Sequence, residues 1–133
     1  MTVSDVLLRF NGNAPAPDSV IRRVESDIGI RLPADYVEFL HRANGGEGFI
    51  GGNAYVILWR VEELAQMNAD YEVRAYAPGL LMFGSDGGGE AFAFDTRSDA
   101  APIVSVPFVG MDVSLARPMG RTFSEFLHQL STS

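Results

Sequence analysis

Apolar residues at helical spacing predict a helix near each end of the chain. The stripe near the start comprises Val3, Val6, Leu7 and Phe10 and predicts a short helix over 2–10. The stripe near the end comprises Phe123, Phe126, Leu127 and Leu130. Thr122 and Glu125 have the spacing of a capping box, so a helix should begin there and bury this second stripe.

Two further helices are predicted between residues 18 and 43. Asp18 or Ser19 is a suitable cap for the first of them, and Gly29 is a suitable C-terminal stop. Pro33 suits the first turn of the second helix, which should end at the Asn-Gly-Gly sequence of 44–46.

The middle of the chain predicts a strand followed by a helix. Residues 54–59 are apolar at every position, which is typical of a central strand covered on both faces. The helix that follows has inward positions Leu64, Met67 and Tyr71 and mostly outward positions Glu62, Glu63 and Asp70.

Residues 80–95 predict two strands joined by a Gly-rich turn at 84–89. Within the second strand Phe92 and Phe94 share a face, which we expect to lie under the helices. Residues 103–108 predict another strand, and Pro107 favours a sheet edge for it because proline cannot donate a ladder hydrogen bond. No repeat or linker interrupts these elements, so we expect a single α+β domain over 1–133.

Composition agrees with a folded cytoplasmic protein. Hydrophobic residues make up 47% of the 133 residues and charged residues 20%, which is too apolar for a disordered chain. No window approaches the ~18 consecutive apolar residues of a membrane-spanning helix. The first ten residues lack the order of a signal peptide, and the absence of cysteine excludes disulfides and thiol nucleophiles.

Charge narrows the range of partners. Ten arginines and no lysine stand against 17 acidic residues, which gives a net charge of −7. This acidity disfavours nucleic acid and anionic membranes as partners. The absence of lysine excludes Schiff-base chemistry and a P-loop.

The Gly-rich turn is not interpreted as a phosphate-binding loop. Such loops open a helix whose N-terminal amides face the anion, whereas a strand follows here. We interpret it as a tight reversal in which at least one of Gly87, Gly88 and Gly89 has a positive φ.

No group of residues predicts catalysis or metal binding. Glu90 and Asp95 are an odd number of positions apart, so their side chains should leave opposite faces of a strand and share no site with Asp86. His41 and His128, the two histidines, fall in the last turns of predicted helices, where a partial positive charge is favourable. Neither has a partner nucleophile and carboxylate at a recognisable spacing. We therefore expect no enzyme activity, cofactor or metal.

A set of acidic residues allows two interpretations. It comprises Glu47, Glu62, Glu63, Asp70 and Glu72. The first interpretation is a solvated helix face with its flanks. The second is a protein interface, in which the flexible Gly-rich segment 45–53 displays Phe49 and Ile50 as apolar anchors beside the carboxylates. The first holds if those two side chains instead fold back on the core.

Several short motifs occur in a recognisable order. The first are Leu32-Pro33, Asp35-Tyr36, Phe39-Leu40 and Asn44-Gly45-Gly46. The next are Leu58-Trp59, Glu63-Leu64 and Asn68. The last are Gly84-Ser85-Asp86-Gly87-Gly88-Gly89-Glu90, Phe92, Phe94-Asp95, Phe123 and Phe126-Leu127. Over roughly residues 20 to 130 this order resembles the SUKH superfamily, which includes fungal cell-wall assembly regulators of the Smi/Knr type and many bacterial immunity proteins.

The resemblance implies a fold and two possible functions. The implied fold is a central, largely antiparallel sheet packed by several α-helices, with the motif residues in structural roles and no catalytic residues. Bacterial members are commonly encoded beside toxins, often nucleases, and neutralise them by binding. We therefore expect an immunity protein with a basic toxin domain as partner, since a net charge of −7 suits a basic target. The alternative is a regulatory or scaffold domain of the Smi/Knr type, although the chain lacks the long extensions of the fungal regulators.

Overall fold

The computed structural model describes residue 7 and residues 9–132, which form seven β-strands and five α-helices. The strands are β1 (Phe10–Gly12), β2 (Gly46–Ile50), β3 (Ala54–Leu58), β4 (Leu80–Ser85), β5 (Glu90–Asp95), β6 (Ile103–Pro107) and β7 (Arg117–Gly120). The helices are α1 (Asp18–Ile28), α2 (Ala34–Arg42), α3 (Leu64–Asp70), α4 (Val73–Tyr76) and α5 (Phe123–Ser131). Short 3-10 helices occupy Val61–Glu63 and Val113–Leu115.

The strands form one antiparallel sheet in which each strand lies beside its neighbour in sequence, in the order β1 to β7. The predicted α+β fold with a largely antiparallel sheet is therefore confirmed. Strands β3 and β4 pair only where Ile57 meets Ser85 and Leu58 meets Gly84. This short pairing leaves the first half of β4 without a strand neighbour on that side.

One face of the sheet packs against α2 and α5 through aromatic side chains. The ring centroid of Tyr36 on α2 lies 5.0 Å from that of Phe94 and 5.1 Å from that of Phe123. The Phe126 ring of α5 lies 4.8 Å from the Phe92 ring. Phe92 and Phe94 therefore lie under the helices, as their spacing predicts. Each buried ring contributes about 1.5–3 kcal/mol, so these contacts are a major part of the core.

The opposite face is also buried in the middle of the sheet, where Ala91 and Ala93 are fully inaccessible. Helices α3 and α4 contact β4. Asn68 of α3 makes a double hydrogen bond to the backbone of β4: its Nδ2 donates to the Met82 carbonyl at 2.9 Å, and its Oδ1 accepts from the Met82 N–H at 2.8 Å. Its side chain thus satisfies backbone groups that β3 does not reach.

The predicted helices at 18–28 and after Pro33 are present. Helix α1 ends at Gly29, which has a left-handed φ of 77°. Its N-terminal residue is preceded by Pro17, and neither Asp18 nor Ser19 provides a side-chain cap. The fixed φ of proline instead suits the start of the helix. Helix α2 begins directly after Pro33 and ends before the Asn-Gly-Gly sequence of 44–46.

The C-terminal helix α5 has the predicted start. The Thr122 hydroxyl accepts a hydrogen bond from the Glu125 N–H at 3.1 Å, although the Glu125 carboxylate reaches the N–H of Arg121 rather than that of Thr122. The four stripe residues are all buried: Phe123, Phe126, Leu127 and Leu130.

The expectation of a flexible segment at 45–53 is wrong in its first half, because β2 occupies residues 46–50. Strand β1 packs so closely against β2 that a Cβ on Gly46 would overlap the carbonyl oxygen of Asn11. Gly46 is therefore required because two backbones approach each other closely, and its presence does not indicate a loop.

Two expectations, about strands β3 and β6, are also wrong. Strand β3 alternates in burial, with Val56 fully buried and Tyr55 37% exposed, and so it is not covered on both faces. Strand β6 lies inside the sheet, between β5 and β7. Pro107 is tolerated there because it is the last residue of the strand.

The helix predicted over 2–10 lies outside the described residues except at its last positions. Of these, Phe10 begins β1. In the described part of the chain, no helix is long and apolar enough to cross a membrane.

Candidate protein-binding surface

Four of the acidic residues singled out in the sequence lie exposed on three elements. Glu47 lies on β2, whereas Glu62, Glu63 and Asp70 lie on the 3-10 helix Val61–Glu63 and on α3, which follows it directly. Strand β2 pairs with β3, and β3 leads into this helical segment. Chain connection therefore places the acidic residues on adjoining elements.

Glu62 is fixed by a buried asparagine. Asn44 is only 4% exposed, and its Nδ2 donates to Glu62 Oε1 at 2.5 Å. The Oδ1 of the same asparagine accepts from the Val61 N–H at 2.8 Å. Asn44 thus joins the end of α2 to the start of the helical segment over residues 61–70, which we name the acidic segment. It also orients the Glu62 carboxylate.

The other two carboxylates of the helical segment have local hydrogen-bond partners. The Oε1 of Glu63 accepts from the Arg60 N–H at 3.0 Å, which caps the first turn. The Oδ1 of Asp70 accepts from Nε2 of Gln66 at 2.7 Å. Neither bond neutralises the negative charge, since both donors are uncharged.

Charge compensation differs between this segment and the rest of the chain. Elsewhere, six described carboxylates form ion pairs, among them Glu25 with Arg22 at 2.8 Å and Asp95 with Arg97 at 2.8 Å, whereas Asp27, Asp35, Asp99 and Asp112 form none with a described residue. The Arg97 guanidinium lowers the pKa of the Asp95 carboxyl through its hydrogen bonds. Among the described residues, no cation lies within ion-pair distance of the four exposed carboxylates Glu47, Glu62, Glu63 and Asp70. The segment 47–86 holds six carboxylates and two arginines, so a large part of the net negative charge originates there.

An exposed patch lies on the face of β2 and β3 that points away from α2 and α5. It consists of Glu47, Phe49, Tyr55 and Ile57, which the strand register places on one face, and we name it the β2–β3 patch. The Phe49 and Tyr55 rings meet edge to face with centroids 5.3 Å apart. The Tyr55 hydroxyl donates to the Glu47 carboxylate, which raises the pKa of Tyr55. The patch thus combines aromatic surface with a carboxylate.

The sequence placed Phe49 and Ile50 together, and the structure separates them. Phe49 is partly exposed in the β2–β3 patch. Ile50 has no exposed surface and lies in the core, because adjacent strand residues point to opposite faces. Ile50 is therefore removed from the candidate binding residues, whereas Phe49 remains one.

A second aromatic cluster was not expected from the sequence. The Tyr71 ring lies 6.2 Å from the Trp59 ring, nearly parallel to it, and 4.7 Å from the Phe108 ring. Tyr71 is 40% exposed, although its helical position predicted an inward side chain, and the adjacent Val109 is 91% exposed. An exposed apolar turn could have been predicted from the apolar residues 107–109, which directly precede Gly110.

The Gly-rich turn between β4 and β5 has a structural arrangement. The Oδ1 of Asp86 accepts from the N–H groups of Gly88, at 2.8 Å, and Glu90, at 3.2 Å. Gly87 has a φ of 79°, which confirms the expected positive φ in this turn. The Oε1 of Glu90 lies 3.6 Å from Nη2 of Arg117 on β7. Glu90 and Asp95 are at opposite ends of β5. Within residues 9–132 no group of three or more acidic or histidine residues could hold a metal ion.

Two of the motif glycines are needed because other backbones approach them closely. Gly45 has a φ of 74°, and a Cβ there would overlap the carbonyl oxygen of Leu58. Gly46 is restricted in the same way by β1. Pro33 precedes α2, and Trp59 is buried in the second aromatic cluster. The close approach of other backbones gives Gly45 and Gly46 a role in the fold.

A groove of about 780 Å³ lies between the end of α1, helices α3 and α4, and the start of β4. Its lining includes the apolar Val73 and Leu80 and the exposed charged residues Asp27, Glu72 and Arg74. The described lining residues include no histidine that could act as a base. The groove has the size of a small-molecule site, but it brings together no combination of nucleophile, base and orienting group.

Comparison with known families agrees with the order of the motifs. The family model described as the SMI1 / KNR4 family (SUKH-1) matches residues 15–129. The matched region includes the acidic segment, the β2–β3 patch and both motif glycines. No curated protein matches the chain.

Proposed function

The chain belongs to the SMI1 / KNR4 family (SUKH-1), and from this premise we propose that it is an immunity protein that binds and neutralises a basic toxin domain. Domains of this family generally bind protein partners and are generally non-catalytic.

The observation that carries the proposal is the set of exposed carboxylates without ion-pair partners. A nuclease toxin must hold phosphate groups and so carries a basic active-site surface. Glu47, Glu62, Glu63 and Asp70 offer that surface a negative counterpart that no described arginine neutralises. Such complementarity accelerates encounter and disfavours wrong partners.

The aromatic side chains provide apolar contacts that can slow dissociation of a complex, which exposed charges alone do not. Exposed carboxylates at a rim mainly change the association rate, whereas aromatic anchors that become buried slow dissociation. Tyr55 and Tyr71 are each exposed by more than a third. Tyr55 donates a hydrogen bond to Glu47, and Tyr71 follows Asp70 directly in the chain. Together the two kinds of group have the composition of a protein interface.

Co-expression tests the function directly. The gene product encoded next to this chain should be toxic when expressed alone, and co-expression of this protein should restore growth and yield a stable complex. An inactive toxin variant that still binds serves as the control for expression. If the neighbouring product is harmless alone, or if the two purified proteins do not associate at low salt, the immunity function is contradicted. A regulatory or scaffold function of the Smi/Knr type then takes its place.

A further inference from the structure

The β2–β3 patch holds a guanidinium group from its own chain. The Cζ atom of Arg9 lies 4.8 Å from the centroid of the Phe49 ring, which is the geometry of a cation–π contact. The Nη1 of the same arginine donates to the carbonyl oxygen of Gly52 at 3.4 Å. The patch therefore already shows which chemical group it accommodates.

The contacts of Arg9 leave it easy to displace. Arg9 is exposed and precedes the short edge strand β1, and its hydrogen bond to Gly52 is at the long limit for such bonds. It forms no ion pair with Glu47, whose carboxylate accepts from the uncharged Tyr55 hydroxyl. The strongest group for binding a cation in the patch is thus not used by Arg9.

A partner arginine can use all of these groups. Arginine stacks its planar guanidinium on an aromatic ring and donates two parallel hydrogen bonds to a carboxylate, which an ammonium group cannot do. The patch offers the face of Phe49 and the carboxylate of Glu47 two residues apart on one strand face.

We propose that the β2–β3 patch is an arginine-binding site, which Arg9 occupies in the free protein and from which an arginine of the partner displaces it. Arg9 then competes with the partner, and its removal strengthens binding. That the arginine belongs to a basic toxin domain rests on the proposed function, whereas the site itself can be tested without a toxin.

The test uses NMR titration of the full chain with the peptide acetyl-Gly-Arg-Gly-amide and with its lysine counterpart. The Arg9→Ala variant should bind the arginine peptide at least about threefold more tightly than the unmodified protein, because no internal ligand competes. The ring signals of Phe49 and Tyr55 should shift, and the lysine peptide should bind more weakly. Adding Glu47→Gln or Phe49→Leu to Arg9→Ala should abolish the gain, with thermal melting confirming that each variant is folded.

The matched control is Arg23→Ala, which removes the same charge from the exposed side of α1. If Arg9→Ala binds no more tightly than Arg23→Ala, or if the shifted signals lie outside the patch, the arginine site is overturned. Binding of the peptide without any toxin complex would contradict only the proposed function. A toxin complex that Arg9→Ala weakens would show that Arg9 belongs to the interface, and would overturn the competition.

Discussion

Backbone geometry determines which glycines of this protein can be replaced by a residue with a side chain. In the turn between β4 and β5 only Gly87 has a positive φ, of 79°, whereas a Cβ on Gly89 would meet nothing within 4 Å. A side chain at a positive φ is strained whatever the space around it. The three consecutive glycines, which the sequence presents as equivalent, are therefore not equivalent in the fold.

Replacing Gly87 with alanine should destabilise the protein by about 1 kcal/mol or more, because of the strained φ and the Tyr55 ring 3.3 Å from the new Cβ. Gly89→Ala is the matched control in the same turn and should change the melting temperature little. Chemical denaturation of both variants measures the difference. Equal stability of the two would show that the turn does not require a left-handed residue.

At the scale of elements, two asparagines join helices to other parts of the fold. Asn68 connects α3 to the backbone of β4, and Asn44 connects the end of α2 to the helical segment that begins at Val61. Both side chains donate and accept at once, so each satisfies backbone or carboxylate groups that would otherwise lack a partner. The two asparagines thus fasten the helical segment over residues 61–70 to α2 and to β4.

The Asn68→Ala substitution should lower the free energy of unfolding by about 1–3 kcal/mol, because it leaves the N–H and C=O of Met82 without hydrogen-bond partners. Gln66→Ala, two residues earlier on α3, removes only an exposed bond to Asp70 and serves as the control. Hydrogen exchange at the Met82 amide should accelerate in the first variant alone. An unchanged exchange rate would mean that Asn68 is dispensable for this contact.

Elements with a periodic apolar stripe could be predicted from the sequence, and those determined by distant contacts could not. The stripe of α5 and its Thr122 cap determine that helix locally. The sequence of β2 predicts a loop because Gly46 and Gly48 have low strand propensity. Both glycines are nevertheless required in this strand, because the backbone at residues 9–12 approaches them too closely for a Cβ. Whether Ile50 faces the surface or the core stayed open for the same reason, since the face it occupies depends on a strand register that the sequence did not reveal.

The charged residues of the candidate surface could be predicted from the sequence, whereas the arrangement of its aromatic side chains could not. The sequence indicated that Glu62, Glu63 and Asp70 are exposed, because they lie mostly opposite the apolar positions of the helix predicted after residue 59. It could not show that Tyr71 stacks beside Trp59 and Phe108, since this depends on how α3 crosses the sheet. It also gave no indication that Arg9 would lie on Phe49.

For the whole molecule, the distribution of charge matters more than its sum. The net charge of −7 could be spread evenly, in which case it would promote solubility without directing any partner. Instead, ion pairs neutralise six of the ten described carboxylates outside residues 47–86, whereas none of the six carboxylates within 47–86 has an ion pair with a described residue. We therefore expect the position of a removed charge to determine its effect on binding.

Association kinetics with the purified product of the neighbouring toxin gene test this claim most directly. One variant combines Glu47→Gln, Glu62→Gln, Glu63→Gln and Asp70→Asn, which retains the hydrogen-bond acceptors while removing four charges. The control combines Asp18→Asn, Glu38→Gln, Asp99→Asn and Asp112→Asn, all exposed, and so has the same net charge. Stopped-flow measurements over a series of salt concentrations should show association slowed about tenfold or more, with a flatter salt dependence, for the first variant and little change for the control. Equal slowing of both variants would contradict the claim that this surface receives the partner.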